Sequence, residues 1–206
     1  MGTSSIKNIV FDLGGVLIDW DPKRLYRKIF ATEEEVDNFL SNVCTMEWNI
    51  QQDAGNSIAG ATQMLTLKCP EWESQIKAYY GRWEEMLGGA IHGTVKVLEE
   101  CAEDPNYRVL ALTNWSHETF PIAQERFDFL QYFEGIVVSG VEKHIKPFPE
   151  IYKILLSRYN LDPTETIFID DNADNILGAE ILGIQAIQFS SPEQLRKELT
   201  DKQILS

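Results

Sequence analysis

The chain has 206 residues, 44% hydrophobic and 24% charged, which suits one globular domain, or a core domain with a smaller insert, that buries a full core. Its 32 acidic and 18 basic residues give a formal charge of -14 without any basic cluster. Nucleic acid is therefore not an expected partner, because Lys and Arg clusters are needed to displace phosphate counterions, and no apolar run is long enough to predict a membrane span.

The first apolar run, 8–13, is short and continuous, as expected of a strand buried on both faces of a parallel sheet. A stretch of helical patterns follows at 22–30, 33–42 and 71–86, with no convincing strand between them. Thr32 before Glu33, Glu34 and Glu35 predicts a helix N-cap with acids in the first turn. Trp48, Trp72 and Trp83 fall in this stretch and are expected to form its packing core. From residue 93 onward, helical patterns at 93–102, 118–127, 149–159 and 173–182 alternate with apolar runs at 108–113, 135–139, 166–170 and 185–189. This βαβα rhythm predicts an α/β fold, a doubly wound parallel sheet. The expected division is a core of residues 1–17 and 88–206, interrupted by an all-helical cap at 18–87.

Cys44, Cys69 and Cys101 are widely spaced and odd in number, which fits free thiols in a reducing compartment. The N-terminus has no basic-then-apolar secretion signal, and Ile6 stands where a myristoylation signal needs Ser or Thr. The cytoplasm is the expected location. Nothing in the sequence sets an oligomeric state.

In a doubly wound sheet, ligands bind outside the carboxyl ends of the strands. The runs end in Asp12 with Gly14 and Gly15 after it, in Thr113 and Asn114, and in Asp170 and Asp171, while Lys146-Pro147 follows the third. A carboxylate, a hydroxyl, an ammonium and two more carboxylates therefore converge on one edge. An ionised carboxylate such as Asp12 can attack phosphorus and divide the reaction into two steps. Mg²⁺ prefers hard oxygen ligands, and adjacent acids at a buried strand end are hard to explain without a cation. Lys146 can offset charge, Thr113 and the neighbouring amides can hold phosphoryl oxygens, and Asn175, one helical turn after Asp171, can support Lys146 or the metal. His92, His117 and His144 share no metal-ligand spacing and are expected at the surface or in satisfied positions.

The order Asp12, Thr113, Lys146, Asp170-Asp171 resembles the four motifs of the haloacid dehalogenase-like hydrolase superfamily, helical-cap subfamily I. The resemblance implies Asp12 as nucleophile, Thr113, Asn114 and Lys146 as substrate-binding groups, and Asp12, the Gly14 carbonyl, Asp170 and Asp171 as ligands to Mg²⁺. It also implies a small phosphorylated substrate, and the Phe-Asp-Leu-Gly-Gly-Val-Leu segment is similar to a sugar-phosphate phosphatase branch with glycine two residues after the nucleophile. Most phosphatases of the superfamily carry a second Asp at that position as general acid and base, an effect worth about 10²–10⁴-fold in rate. With Gly14 there, Asp19 and Asp21 are the nearest substitutes and Asp53 another. Two alternatives follow: a metal-independent 2-haloacid dehalogenase, or a silent binding module on the same scaffold. Phe148 after Lys146-Pro147 departs from the usual polar residue, without a functional account.

Overall fold

A computed structural model describes residues 6–205. The expected lack of secretion and acylation signals rests largely on residues 1–5, which lie outside the described residues.

The predicted parallel sheet is present, with five strands in the order β5-β4-β1-β6-β7: β1 (Asn8–Phe11), β4 (Arg108–Thr113), β5 (Gly135–Val138), β6 (Thr166–Asp170) and β7 (Gln185–Gln188). Central β1 is buried throughout and pairs in parallel with β4 on one side and β6 on the other. Its alternating side chains feed two packed layers. Ile9 and Phe11, with Val109, Ala111, Ile167 and Ile169, face one layer. Val10, Leu110, Leu112, Val137 and Phe168 face the other. The first layer is covered by α6 (His92–Glu103) through Val97, Leu98 and Cys101, and by α11 (Pro192–Asp201) through Leu195 and Leu199. The second is covered by α9 (Pro149–Tyr159) through Ile151, Tyr152 and Leu155, and by α10 (Ala173–Glu180) through Ala179. Full burial of such side chains contributes roughly 1.5–3 kcal/mol each. The short helices α7 (Phe120–Arg126) and α8 (Ser139–Glu142) follow β4 and β5.

Between β1 and α6 the chain is mainly helical: α1 (Lys23–Tyr26), α2 (Glu33–Asn42), α3 (Met46–Asp53), α4 (Ile58–Lys68) and α5 (Glu73–Gly81). Thr32 caps α2 as expected: its hydroxyl accepts the Glu35 amide at 3.2 Å while the Glu35 carboxylate accepts the Thr32 amide at 3.0 Å. Trp72 packs edge-on against Phe30 and Phe39, and Trp48 against Tyr79. The segment is not all-helical. Two short strands, β2 (Ile18–Trp20) and β3 (Leu87–Ala90), pair antiparallel at its two ends. Helix α4 also departs from an ordinary amphipathic pattern, burying Leu65 while Met64 and Leu67 stay exposed. The first sheet layer continues without a break into the residues of this segment, including Val36, Phe39 and Tyr79. Cys44, Cys69 and Cys101 are all free. Among the described residues no helix is long and apolar enough to cross a membrane.

Candidate active site

Asp12 follows β1 directly. Its amide donates to Ile169 O at 2.8 Å, so the strand ladder holds its backbone, and its Oδ1 accepts the Leu13 amide at 2.7 Å. The chain then turns, with the Leu17 and Ile18 amides donating to Leu13 O at 2.9 and 2.8 Å. Gly15 sits in this turn at φ 75°, a conformation L side chains rarely adopt. A Cβ there would also lie 2.5 Å from Asp171 Oδ2, so glycine lets the turn pass beneath that carboxylate. At Gly14 the situation is opposite: an added Cβ meets nothing within 4 Å.

Lys146 lies at the centre of the charges and is 2% exposed. Its Nζ is 2.9 Å from Asp12 Oδ1 and 2.6 Å from Asp170 Oδ2, and it donates to Leu112 O at 3.0 Å. An ammonium tolerates such burial only when it is paired and fully hydrogen-bonded. Asn114 fixes its backbone from the end of β4: the Lys146 amide donates to Asn114 Oδ1 at 2.9 Å, and Asn114 Nδ2 donates back to Lys146 O at 3.0 Å.

Asp170, wholly buried at the end of β6, is equally committed. Oδ1 accepts the Asn172 amide at 2.8 Å, and Asn175 Nδ2 reaches Oδ1 and Oδ2 at 3.0 and 3.1 Å. Asn172 caps α10 by accepting the Asp174 amide at 2.8 Å, which places Asn175 on the first turn facing Asp170. Asp171, the next residue, is exposed.

Asp12, Asp170 and Asp171 each offer a carboxylate oxygen, all within 4.8 Å of one another. Burial raises the Asp12 carboxyl above its ordinary range, opposed by Lys146 and reinforced by Asp170. Burial, and then Asp170, also raise Asp171. Burial works against the charge of Lys146, but Asp12 and Asp170 outweigh it and hold the ammonium above its usual value. Three carboxylates around one ammonium leave excess negative charge, the condition a divalent cation relieves. With both Asp170 oxygens already hydrogen-bonded, Asp12 and Asp171 are the freer ligands. Thr113 is buried at the end of β4, and its Oγ1 has no partner among the described residues.

Above these groups opens a cavity of about 390 Å³. Asp12, Gly14 and Asp171 line its sheet side, and Asn49, Asp53 and Trp83 its helical side. Asp12, Gly14, Lys146, Asp170, Asp171 and Asn175 thus assemble at one edge, with Thr113 and Asn114 beside them. One detail differs from the expectation: both ends of the Asn114 amide serve the Lys146 backbone. Of the two roles expected of Asn175, it takes the one toward the acids, bonding Asp170 and not Lys146 directly. His92, His117 and His144 are exposed. Trp83 belongs to the packing core, stacked on Tyr80 at 5.6 Å, yet also lines the cavity.

Asp19 and Asp21, the nearest acids in sequence, do not line the cavity. Asp19 pairs with Arg24, and Asp21 accepts the Lys23 amide at 2.9 Å and lies 3.6 Å from Arg27. The cavity instead draws on Trp20, Asn49 and Trp115, which the sequence reading did not single out. Trp115 had a usable signal, its position directly after Thr113 and Asn114.

A family model described as haloacid dehalogenase-like hydrolase matches residues 6–183. The chain is 34% identical to the phosphorylated carbohydrates phosphatase of Thermotoga maritima over 87% of its own length and 82% of that protein's. It is 25% identical to the D-ribitol-5-phosphate phosphatase of Bacteroides thetaiotaomicron, over 95% and 97% of the two chains. A solved HAD family enzyme of Bacteroides thetaiotaomicron, in complex with magnesium and inorganic phosphate, superposes with a TM-score of 0.68 and 27% identity, covering 90% of this chain and 95% of that one. Other matched proteins are longer: the chain spans 36% of drimenol cyclase drtB of Aspergillus calidoustus and 8% of mouse acyl-CoA dehydrogenase family member 10.

Proposed function

The chain belongs to the haloacid dehalogenase-like hydrolase family, and from that premise we propose that it is a magnesium-dependent phosphomonoesterase acting on a small metabolite, with sugar and sugar-alcohol phosphates as the foremost candidates. The observation that carries the reading is the trio Asp12, Asp170 and Asp171 gathered within 4.8 Å around buried Lys146. Displacing halide from carbon needs no cation, whereas this trio makes sense with one. The named activities of the Thermotoga and Bacteroides relatives, and the magnesium and phosphate bound by the solved neighbour, support the same choice.

In this reading Asp12 is the nucleophile. Its Oδ1 is held by Leu13 and Lys146, which leaves Oδ2 to attack phosphorus and form an aspartyl-phosphate that water then hydrolyses. Lys146 offsets the negative charge that otherwise repels the phosphoryl group. The unpartnered Thr113 hydroxyl is available to a phosphoryl oxygen. Asp170, oriented by Asn175, holds Lys146 in place, Asn114 anchors its backbone, and Asp171 and Asp12, with the Gly14 carbonyl, would hold the cation, Asp170 lying beside them. Mg²⁺ there supplies positive charge to offset the carboxylates and the phosphoryl oxygens. The segment 18–87 serves as a cap that encloses the substrate and sets its selectivity.

Phosphate release from a panel of small phosphomonoesters, with Mg²⁺ or with EDTA, tests this for wild type and Asp12→Asn. The expected result is Mg²⁺-dependent turnover that falls by at least ~10³-fold in the variant at unchanged melting temperature. Turnover that persists in Asp12→Asn, or that ignores EDTA, refutes the reading.

A further inference from the structure

Breaking a phosphoester expels an oxygen that needs a proton, and Gly14 offers none. The titratable residues that line the cavity are Asp12, Asp53 and Asp171. Asp12 attacks, and Asp171 stands with the cation-facing acids. Asp53 is left, with no task in that scheme. It sits on the last turn of α3, 8% exposed, on the wall opposite the sheet.

The protein holds this side chain from several sides. Asn49, one turn earlier on α3, donates Nδ2 to Asp53 Oδ2 at 3.0 Å, and Tyr80 from α5 donates to Asn49 Oδ1 at 3.0 Å, orienting that amide. The Ser116 backbone, in the loop after β4, lies on the carboxylate's side and favours its charged form. The Asp53 carbonyl accepts the Ser139 hydroxyl at 2.6 Å, and Ser139 accepts the Trp115 amide at 2.9 Å, which ties the end of α3 to the loop beside Thr113. Burial pushes the carboxyl up to about 7, opposed by the Ser116 backbone, so both protonation states are populated near neutrality. Around it the titratable groups are the phenols of Tyr79 and Tyr80 on α5, both raised by burial. Lys143, just after α8, packs against Gly55, and Glu118 accepts the Ile58 amide at 2.7 Å. The charged or titratable residues of the neighbouring loop and helix are His117, which is exposed, and Glu142.

We propose that Asp53 is the general acid and base of the reaction, delivered from the helical segment in place of the side chain missing at Gly14. The assignment rests on the phosphomonoesterase reading. In the first step Asp12 Oδ2 bonds to phosphorus, the bond from phosphorus to the ester oxygen breaks, and that oxygen takes the proton of the Asp53 carboxyl. In the second step water attacks the aspartyl-phosphate and gives a proton to the Asp53 carboxylate. The phosphorus–Asp12 bond breaks, and phosphate and both acids in their starting states are returned. In-line displacement places the leaving oxygen opposite Asp12, on the side where Asp53 stands. Each carboxylate oxygen has two lone pairs, so the hydrogen bonds that orient Asp53 leave room for the transferred proton.

The test compares an alkyl phosphate with p-nitrophenyl phosphate, whose leaving group is stable without protonation, in wild type, Asp53→Asn and Asp53→Glu. Compared as kcat/KM, which reports the step that expels the leaving group and not the later hydrolysis common to both esters, Asp53→Asn is expected to lose about 10²-fold or more on the alkyl ester and less than about 5-fold on the aryl ester, with Asp53→Glu restoring part of the alkyl activity. The wild-type limb that falls above about pH 7 for the alkyl ester should vanish in Asp53→Asn. Equal losses on both esters, or no loss, overturn the assignment and leave Asp53 as a residue that docks α3 on the sheet. A wild-type rate that drops steeply with leaving-group pKa overturns it too, without needing a folded variant. A wild type that turns over neither ester with Mg²⁺ overturns the phosphomonoesterase reading itself.

Discussion

Replacing Asp53 with Asn should raise the stability of the protein, and by an amount that depends on pH. Burial moves this carboxyl from 3.8 to about 7, so between those values the folded chain keeps a proton that the unfolded chain has released. Stability therefore declines as pH rises from about 4 to about 7 and levels off above. A rise of roughly three pKa units at 1.36 kcal/mol each sets a ceiling on the order of 4 kcal/mol. Water in the cavity reduces that, and about 2–3 kcal/mol is the expected size between pH 4.5 and pH 8. Asn cannot ionise and so escapes the decline. Urea unfolding of both proteins at the two pH values in EDTA isolates the effect, because every other titrating group cancels in the double difference. If the stability gap between Asp53→Asn and wild type is the same at pH 4.5 and pH 8 within about 0.5 kcal/mol, the carboxylate is solvated, and the reasoning about its raised affinity for a proton is wrong.

Two further substitutions probe the turn after β1. Gly15→Ala imposes a Cβ 2.5 Å from Asp171 Oδ2 at φ 75°, and should lower stability by about 1–2 kcal/mol and weaken Mg²⁺ binding by calorimetry at least ~10-fold; unchanged affinity would remove Asp171 from the cation site. Gly14→Asp introduces a side chain whose Cβ meets nothing within 4 Å. Placed in the Asp53→Asn background, it should restore alkyl-ester turnover at least ~10-fold, and no recovery would mean that an acid at that position does not reach the leaving oxygen.

The inner strands β1, β4 and β6 were readable because each is a short apolar run buried on both faces. The edge strands β5 and β7 were readable by their place in the alternation, although β7 exposes both of its glutamines, and the site because its charged residues end or follow those runs. Asp12, Thr113 and Asp170 need no tertiary knowledge to be placed at one edge. The helical segment was harder, for a physical reason. Helix α3 turns Asn49, Gln52 and Asp53 inward, so its polar face is the buried one and the usual pattern is inverted. Helix α4, with Leu65 inside but Met64 and Leu67 outside, gives no clean apolar stripe either. Strand β3 contains Gly88 and Gly89, residues that seldom mark a strand. Helix α11 is a different case: Ser191 at its N-cap, Pro192 at its first position and Leu195 and Leu199 one turn apart were signals available and not used. Of the three acids the sequence offers as proton donors, Asp19 and Asp21 are nearest along the chain but do not line the cavity, whereas Asp53 does, since adjacency in sequence says nothing about which way a residue faces after a reversal.

The antiparallel pairing of β2 with β3 has a consequence for how this scaffold can diversify. Residues 21–86 leave and return through two paired strands that form a small sheet of their own, with Ile18 opposite Ala90. To the five-stranded sheet, the whole excursion is a single loop pinned shut at its neck. The entropy of closing such a loop grows only with the logarithm of its length, so the excursion can change length at small cost to the register that aligns Asp12 with Asp170, as long as the side chains that join the common core, such as Val36, Phe39 and Tyr79, keep their packing. Substrate range and proton donor can then be rewritten together, by replacing one contiguous stretch of chain, while the nucleophile stays where β1 puts it.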